Sequence, residues 1–243
     1  LVDVPEQSTA VRKACSVLAV RILDAGHALD GFGLEDRVED LEKLIAHLDP
    51  GNDITLILHD WGGMIGMGYA VRHPERIRRL ICLNTYAFLP PADYRVPLSG
   101  HFIRRAGPLA SLAVRGFNAF SVGALYLASH KGLDKDVRRG LTAPYNCWNH
   151  RLAVLRFVQD IPLNPADPSF QLAKYVDDNL SQFSTTPILI CWGNHDFVFN
   201  ENFFNEWQRR FPEAETHRFS DAGHYVLEDV PEKIVPLVQD FLQ

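Results

Sequence analysis

The stretch Leu58-His59-Asp60-Trp61-Gly62-Gly63 decides how this chain is read. Before it runs Ile54-Thr55-Leu56-Ile57-Leu58, apolar and β-branched; after it, Met64, Ile65, Met67 and Ala70 follow Gly63 at helical spacing. A strand, a tight turn and a helix therefore meet at Asp60. Such an elbow needs small residues, because strand and helix pack closely and the residue at its apex takes a strained backbone that lifts its side chain above the sheet. Gly62 and Gly63 meet that need after the turn, while Leu58 stands before it where a glycine is more usual. The plainer reading of Asp60 is a helix cap. Capping accounts for neither Trp61 nor the partners downstream.

Thr186-Pro187-Ile188-Leu189-Ile190-Cys191-Trp192 reads as a buried strand, and Gly193-Asn194-His195-Asp196 follows at its carboxyl end, where parallel sheets keep their chemistry. Asp196 is the expected orienting acid. A short strand, Thr216-His217-Arg218-Phe219, then leads into Ser220-Asp221-Ala222-Gly223-His224, and a helix over 231–242 ends the chain. His224 is the expected general base. Taken alone, Asp196 also has a plainer reading as the cap of the turn into a helix over 200–210, and His224 one as a satisfied loop histidine. Their order, nucleophile then acid then histidine, is what joins them. Asp221, Glu228 and Asp229 lie nearer His224 in sequence, but Asp196 projects from a strand end toward the elbow. After Ile81-Cys82-Leu83 stands Asn84, so no acid is available at that strand end.

From Asp53 to Leu242 the chain resembles the haloalkane dehalogenase family of α/β-hydrolases, especially the branch that includes the β-lactone decarboxylases of bacterial olefin biosynthesis. Four stretches carry the resemblance: the elbow from Ile54 to Gly66, Arg115-Gly116-Phe117-Asn118-Ala119-Phe120, Leu155-Arg156-Phe157-Val158-Gln159-Asp160-Ile161-Pro162-Leu163, and Asp221-Ala222-Gly223-His224-Tyr225-Val226-Leu227-Glu228-Asp229. The elbow alone is shared with epoxide hydrolases. The resemblance implies an α/β-hydrolase fold, a mostly parallel sheet with an inserted helical cap. It also implies that Asp60 displaces a halide from an sp³ carbon to form an alkyl ester, which water activated by His224 and Asp196 then hydrolyses.

A carboxylate suits that task because it accepts an alkyl group and still presents a hydrolysable carbonyl. Trp61 offers an indole N–H with no acceptor character on an apolar body, suited to a departing halide, and its backbone N–H suits half an oxyanion hole. With Trp61, the expected substrate and halide contacts are Trp148, Phe120 and Phe157; Phe117 and Tyr145 are further wall candidates, and Trp148 or Asn149 a second donor. Aromatics at helical spacing are more often simple core. The same Asp-His-Asp set also serves a β-lactone decarboxylase, in which Asp60 attacks the lactone and the ester collapses to alkene and carbon dioxide. Epoxide opening is a third chemistry, needing acid tyrosines from the cap. A hydrolase-like remnant that binds without turnover is the contrasting class.

Upstream, 59 residues precede Asp60 and lack the His-Gly loop that supplies a second donor in this family, so an N-terminally shortened sheet is expected. Ser16-Val17-Leu18-Ala19-Val20-Arg21-Ile22-Leu23 is a plausible strand to flank the elbow strand, followed by Asp30-Gly31-Phe32-Gly33-Leu34 and a helix over 35–48.

The 243 residues are 47% hydrophobic and 22% charged, enough for one sizeable core. Net charge is −6, which argues against a nucleic-acid or anionic-membrane surface. The core is expected over 1–88 and 184–243, and a cap over 89–183, where Gly-Pro, Ala-Pro and Asn-Pro interrupt a helical pattern. Cys82 and Cys191 lie in apolar strands, and neither cysteines nor histidines show metal-ligand spacing. The expectation is a cytoplasmic enzyme without metal or organic cofactor, whose partners are a small apolar organic substrate and water.

Overall fold

The computed structural model describes residues 33–91, 94 and 98–243. The strand expected over 16–23, Asp30-Gly31-Phe32 and Cys15 lie outside the described residues. Four parallel strands, β1 (Ile54–Asp60), β2 (Ile77–Thr85), β3 (Ile188–Gly193) and β4 (Glu215–Phe219), form one sheet in sequence order. Parallel neighbours need crossovers, and helices supply them. α1 (Leu34–Leu48) precedes β1, α2 (Trp61–Arg72) returns the chain to β2, and a long helical excursion joins β2 to β3.

Period-2 alternation sends the side chains of β2 and β3 to two separate apolar layers. Leu80, Cys82, Ile188, Ile190 and Trp192 join the main core with α1 and α2, while Ile81, Leu83, Leu189 and Cys191 face Phe219, Val226, Val230 and Ile234. Both faces are covered, as a parallel sheet requires. Burial pushes the Cys82 and Cys191 thiols up, the latter to about 12, so both behave as core residues. Among the described residues β1 is an edge, and Ile57 is 49% exposed there.

The excursion holds α3 (Leu98–Arg105), α4 (Gly107–Ser111), a π turn (Leu112–Gly116), α5 (Ala119–Leu127), α6 (Lys135–Thr142), α7 (Leu152–Gln159) and α8 (Phe170–Asn179). Ile103, Ala110, Val114, Leu155 and Val158 form a small core of their own. Of the segment expected as a cap over 89–183, Ala173, Val176, Leu180 and Phe183 instead pack into the main core. Two polar clamps tie the excursion down. Ser169 Oγ donates to Asp160 Oδ1 at 2.6 Å and accepts from the Leu34 N–H at 3.1 Å, at the start of α1. Asp229 accepts from Ser129 Oγ, the His130 and Lys131 N–H groups and the Gly223 N–H, at 2.6–3.1 Å.

After β3 come α9 (Glu201–Arg210), β4, α10 (Val226–Asp229) and α11 (Pro231–Phe241), close to the expected helices over 200–210 and 231–242. No described helix is long and apolar enough to cross a membrane.

Candidate active site

Asp60 is the last residue of β1, and its backbone takes φ 50°, ψ −125°, a left-handed φ that a non-glycine residue rarely adopts. Its side chain makes no capping hydrogen bond to α2, so the helix-cap reading does not hold. The elbow is held from behind. Thr85, the register partner of Asp60, donates its hydroxyl to the Asp60 carbonyl, and Trp207 Nε1 donates to the Thr85 carbonyl at 2.8 Å. A Cβ at Gly63 would lie 2.1 Å from Thr85 Oγ1 and 2.4 Å from the Tyr86 carbonyl oxygen, which is why the third residue of α2 must be glycine. Leu58 is accommodated by a second glycine: a Cβ at Gly66 would stand 2.4 Å from Leu58 Cδ2. The small residue expected in the strand sits in the helix instead.

His224 Nε2 stands 3.9 Å from Asp60 Oδ2, and His224 Nδ1 lies 2.9 Å from Asp196 Oδ2. A carboxylate accepts, so Nδ1 carries the proton and Nε2 faces Asp60. The Asp196 side chain is fully buried. Its Oδ1 accepts from the Val198 and Phe199 N–H groups at 2.7 and 3.0 Å, a turn role, while Oδ2 holds His224. The two sequence readings of Asp196 therefore describe its two oxygens, and Asn200 caps α9.

Burial lowers the affinity of His224 for its proton, but the Asp196 charge and hydrogen bond, with Asp60 beyond, outweigh it and raise its pKa above the ordinary histidine value. His59 lies beneath, its Nε2 donating to the His224 carbonyl at 2.8 Å. Burial, reinforced by the His224 charge, lowers the His59 pKa, so it supports the loop as a neutral ring.

A cavity lined by Asp60, Trp61, Tyr86, Pro90, Tyr94, Ile161, Val198, Phe199 and Phe203 opens onto the elbow. Trp61 meets Tyr86 and Phe157 edge to face, with ring centroids 6.0 and 5.5 Å away. Phe157 thus packs on Trp61 and is absent from the cavity lining. Arg37 lies 3.6 Å from the Phe157 ring centroid and 5.0 Å from that of Trp61, and pairs with Asp160 at 3.4 Å. Burial lowers its pKa to about 10, so the guanidinium stays charged.

Two expected contacts lie elsewhere. Trp148, in the turn before α7, is 44% exposed with Arg115 on its face, and Phe120 is 41% exposed on α5; neither lines the cavity. Phe117 and Tyr145 are also absent from its lining. Sequence reasoning missed Arg37, Tyr86 and the part played by Asn84, whose Nδ2 donates to Asp196 Oδ2. Asn84 was visible as a polar residue ending an apolar strand, whereas nothing local marked the other two.

The alpha/beta hydrolase fold family matches residues 8–231. Over 212 residues the chain is 45% identical to a cis-3-alkyl-4-alkyloxetan-2-one decarboxylase of Shewanella oneidensis, covering 87% of this chain and 66% of that protein. A protein of the same name from Xanthomonas campestris is 41% identical over 216 residues, 87% of this chain and 70% of that one. A haloalkane dehalogenase of Mycolicibacterium paratuberculosis is 28% identical over 226 residues, with 86% and 72% covered. The chain spans 66% to 72% of the length of these relatives. Among solved structures, haloalkane dehalogenase DatA from Agrobacterium tumefaciens superposes with a TM-score of 0.77 at 21% identity, over 89% of this chain and 75% of that one. That likeness is one of fold. With the family matched over 8–231 and the strand, elbow and helix in place, the chain belongs to the alpha/beta hydrolase fold family.

Proposed function

We propose that this chain opens and decarboxylates a β-lactone, with Asp60 as nucleophile. The observation that carries the reading is a carboxylate on a strained elbow, 43% exposed at an apolar cavity and 3.9 Å from His224 Nε2. The choice of lactone over halide rests on the 45% and 41% identity to proteins named as oxetanone decarboxylases.

In this reaction an Asp60 oxygen bonds to the sp³ ring carbon bearing the ring oxygen, and that carbon–oxygen bond breaks with its electron pair left on a new carboxylate. The enzyme then holds an alkyl ester. Next the bond to the carboxylate carbon breaks, its pair forms the carbon–carbon double bond, and the bond to Asp60 breaks with its pair returning to Asp60. Alkene and carbon dioxide leave, and no water is consumed. Inversion at the attacked carbon followed by anti departure carries a cis lactone to a cis alkene. In its protonated form, which the Asp196 charge favours, His224 stabilises the departing Asp60 carboxylate. The apolar walls favour the second step, since a carboxylate in a dry pocket gains by becoming neutral carbon dioxide.

Carbon–halide hydrolysis is the second reading, supported by the Trp61 indole on the cavity wall and by the dehalogenase relatives. The two routes part at the ester. A single turnover with a short cis-3,4-dialkyl-oxetan-2-one in heavy-oxygen water, followed by mass analysis of the Asp60 peptide, separates them. Alkene with unlabelled Asp60 is the expected result. Heavy oxygen in Asp60 with an alcohol product would show that water attacks the ester. No turnover of lactone or bromoalkane by folded protein would leave a binding remnant.

A further inference from the structure

Among the described residues the Tyr86 hydroxyl is buried without a hydrogen-bond partner, although the residue lines the same cavity as Asp60. Tyr86 is 4% exposed. An unmade hydrogen bond on a buried hydroxyl is destabilising, so a phenylalanine of the same shape would serve folding better. The position is set by the sheet. Asp60 and Thr85 are partners across β1 and β2, so the residues that follow them, Trp61 and Tyr86, stand side by side at the strand ends with rings 6.0 Å apart. The backbone there is fixed by the Thr85 hydroxyl on Asp60 and by Gly63 against the Tyr86 carbonyl.

We propose that the Tyr86 hydroxyl is a hydrogen-bond donor to the anion that leaves the substrate carbon when Asp60 attacks, beside the Trp61 indole N–H. This deepens the reading of Asp60 as nucleophile and rests on it. The leaving anion is the lactone carboxylate, and Tyr86 donates to its oxygen without transferring the proton. Burial, with the Asp60 charge added, holds the phenol well above its ordinary pKa, so it stays a donor throughout the working range. A neutral donor suits the two-step reaction. It steadies the carboxylate as the ring opens, whereas a fixed cation would hold that charge and oppose loss of carbon dioxide. Arg37, the nearby cation, is committed to Asp160. Tyr94 also lines the cavity and is the natural comparison, since its hydroxyl is not among the buried unpartnered atoms.

The test compares wild type, Tyr86→Phe and Tyr94→Phe, by turnover of the short oxetanone and by calorimetric titration with sodium acetate as the anion probe. Loss of one donor to developing charge should lower kcat for Tyr86→Phe about tenfold to a hundredfold and weaken acetate about tenfold, with melting temperature unchanged or raised. Tyr94→Phe, which removes another hydroxyl from the same cavity, should weaken acetate less than Tyr86→Phe does. Wild-type kcat and acetate affinity in a folded Tyr86→Phe protein would overturn the proposal while leaving Asp60 in place, as would a loss confined to Tyr94→Phe. If wild type turns over nothing, the reading of Asp60 fails, and the acetate titration still decides Tyr86. Should Tyr86→Phe not fold, 3-fluorotyrosine placed at position 86 keeps the question open to measurement: a saturable fluorine shift with acetate supports the donor, and none overturns it.

Discussion

Asn84 donates from Nδ2 to Asp196 Oδ2 at 2.9 Å, on the same oxygen that holds His224. Its other amide atom, Oδ1, accepts from the Gly193 N–H at 2.8 Å, so one side chain stitches the end of β2 to the end of β3. The residue is wholly buried and takes φ 36°, a left-handed conformation that asparagine tolerates better than most residues. Asn84→Ala should therefore cost about 1–3 kcal/mol in stability, because Asp196 and Gly193 each lose a buried partner. Turnover should fall at least about tenfold, a rise of about 1.4 kcal/mol in the barrier, because His224 loses its fixed counter-group. Urea unfolding and kcat on one preparation check both, and an unchanged pair of values would show that Asp196 needs no such support.

The raised pKa of His224 has consequences of defined sign. Burial acts against the proton, the Asp196 and Asp60 charges act for it, and the latter prevail. A folded-state pKa above the unfolded one contributes stability that is complete below about pH 6.5 and is lost as pH rises through the folded value. His224→Gln should remove that fall from the stability curve. Ester hydrolysis needs the neutral ring, so bromoalkane turnover should drop about tenfold per pH unit below the raised value. Lactone fragmentation needs no base and should lack that acid limb between about pH 5 and 8. Rate profiles for the two substrates on the same enzyme provide the comparison.

Gly193 and the histidine loop touch through backbone alone. A Cβ at Gly193 would come within 2.2 Å of the Gly223 carbonyl oxygen and 2.9 Å of the Ala222 carbonyl carbon, and backbone cannot rotate aside. Gly193→Ala should cost about 1–3 kcal/mol of overpacking and shift His224 from Asp60. The expected outcome is a folded protein with kcat down more than its stability loss explains. Gly62→Ala is the control, since a Cβ there meets nothing within 4 Å.

The Asp229 carboxylate gathers four donors from the His224 loop and the 129–131 segment. Despite the burial that pushes it up, those hydrogen bonds, led by Ser129 and Gly223, hold its pKa below the usual carboxylate range. Asp229→Asn sets an amide N–H₂ against backbone N–H groups, and each one left unmatched should cost about 1–3 kcal/mol. Hydrogen exchange should quicken at 128–131 and 223–225 while the β2 and β3 amides remain protected. Equal protection in both regions would mean that the clamp adds nothing to local order.

The elbow was legible because its signals are local. A β-branched run, two glycines and helical spacing after them each report on a few neighbouring residues, and the structure puts Asp60 at the strand end with α2 following. The two apolar layers were equally implicit, since alternation along β2 and β3 sorts side chains by parity. Asp196 and His224 were expected from strand ends and chain order, and the structure brings them together at 2.9 Å.

What the sequence by itself determined is therefore the parallel α/β plan and the three polar residues its strand ends present, because backbone geometry and side-chain period are short-range properties. Only the tertiary structure decided what surrounds them. Trp148 and Phe120 looked like pocket walls at helical spacing, yet Trp148 stands exposed in a turn and Phe120 exposed on α5. Tyr86 carries no motif, and it meets Trp61 only because β1 and β2 pair with Asp60 opposite Thr85. Arg37 and Asp160 lie far apart in the chain and are paired only when α1 and the end of α7 pack together. Register and packing are long-range and cooperative, so these contacts exist nowhere in the local pattern.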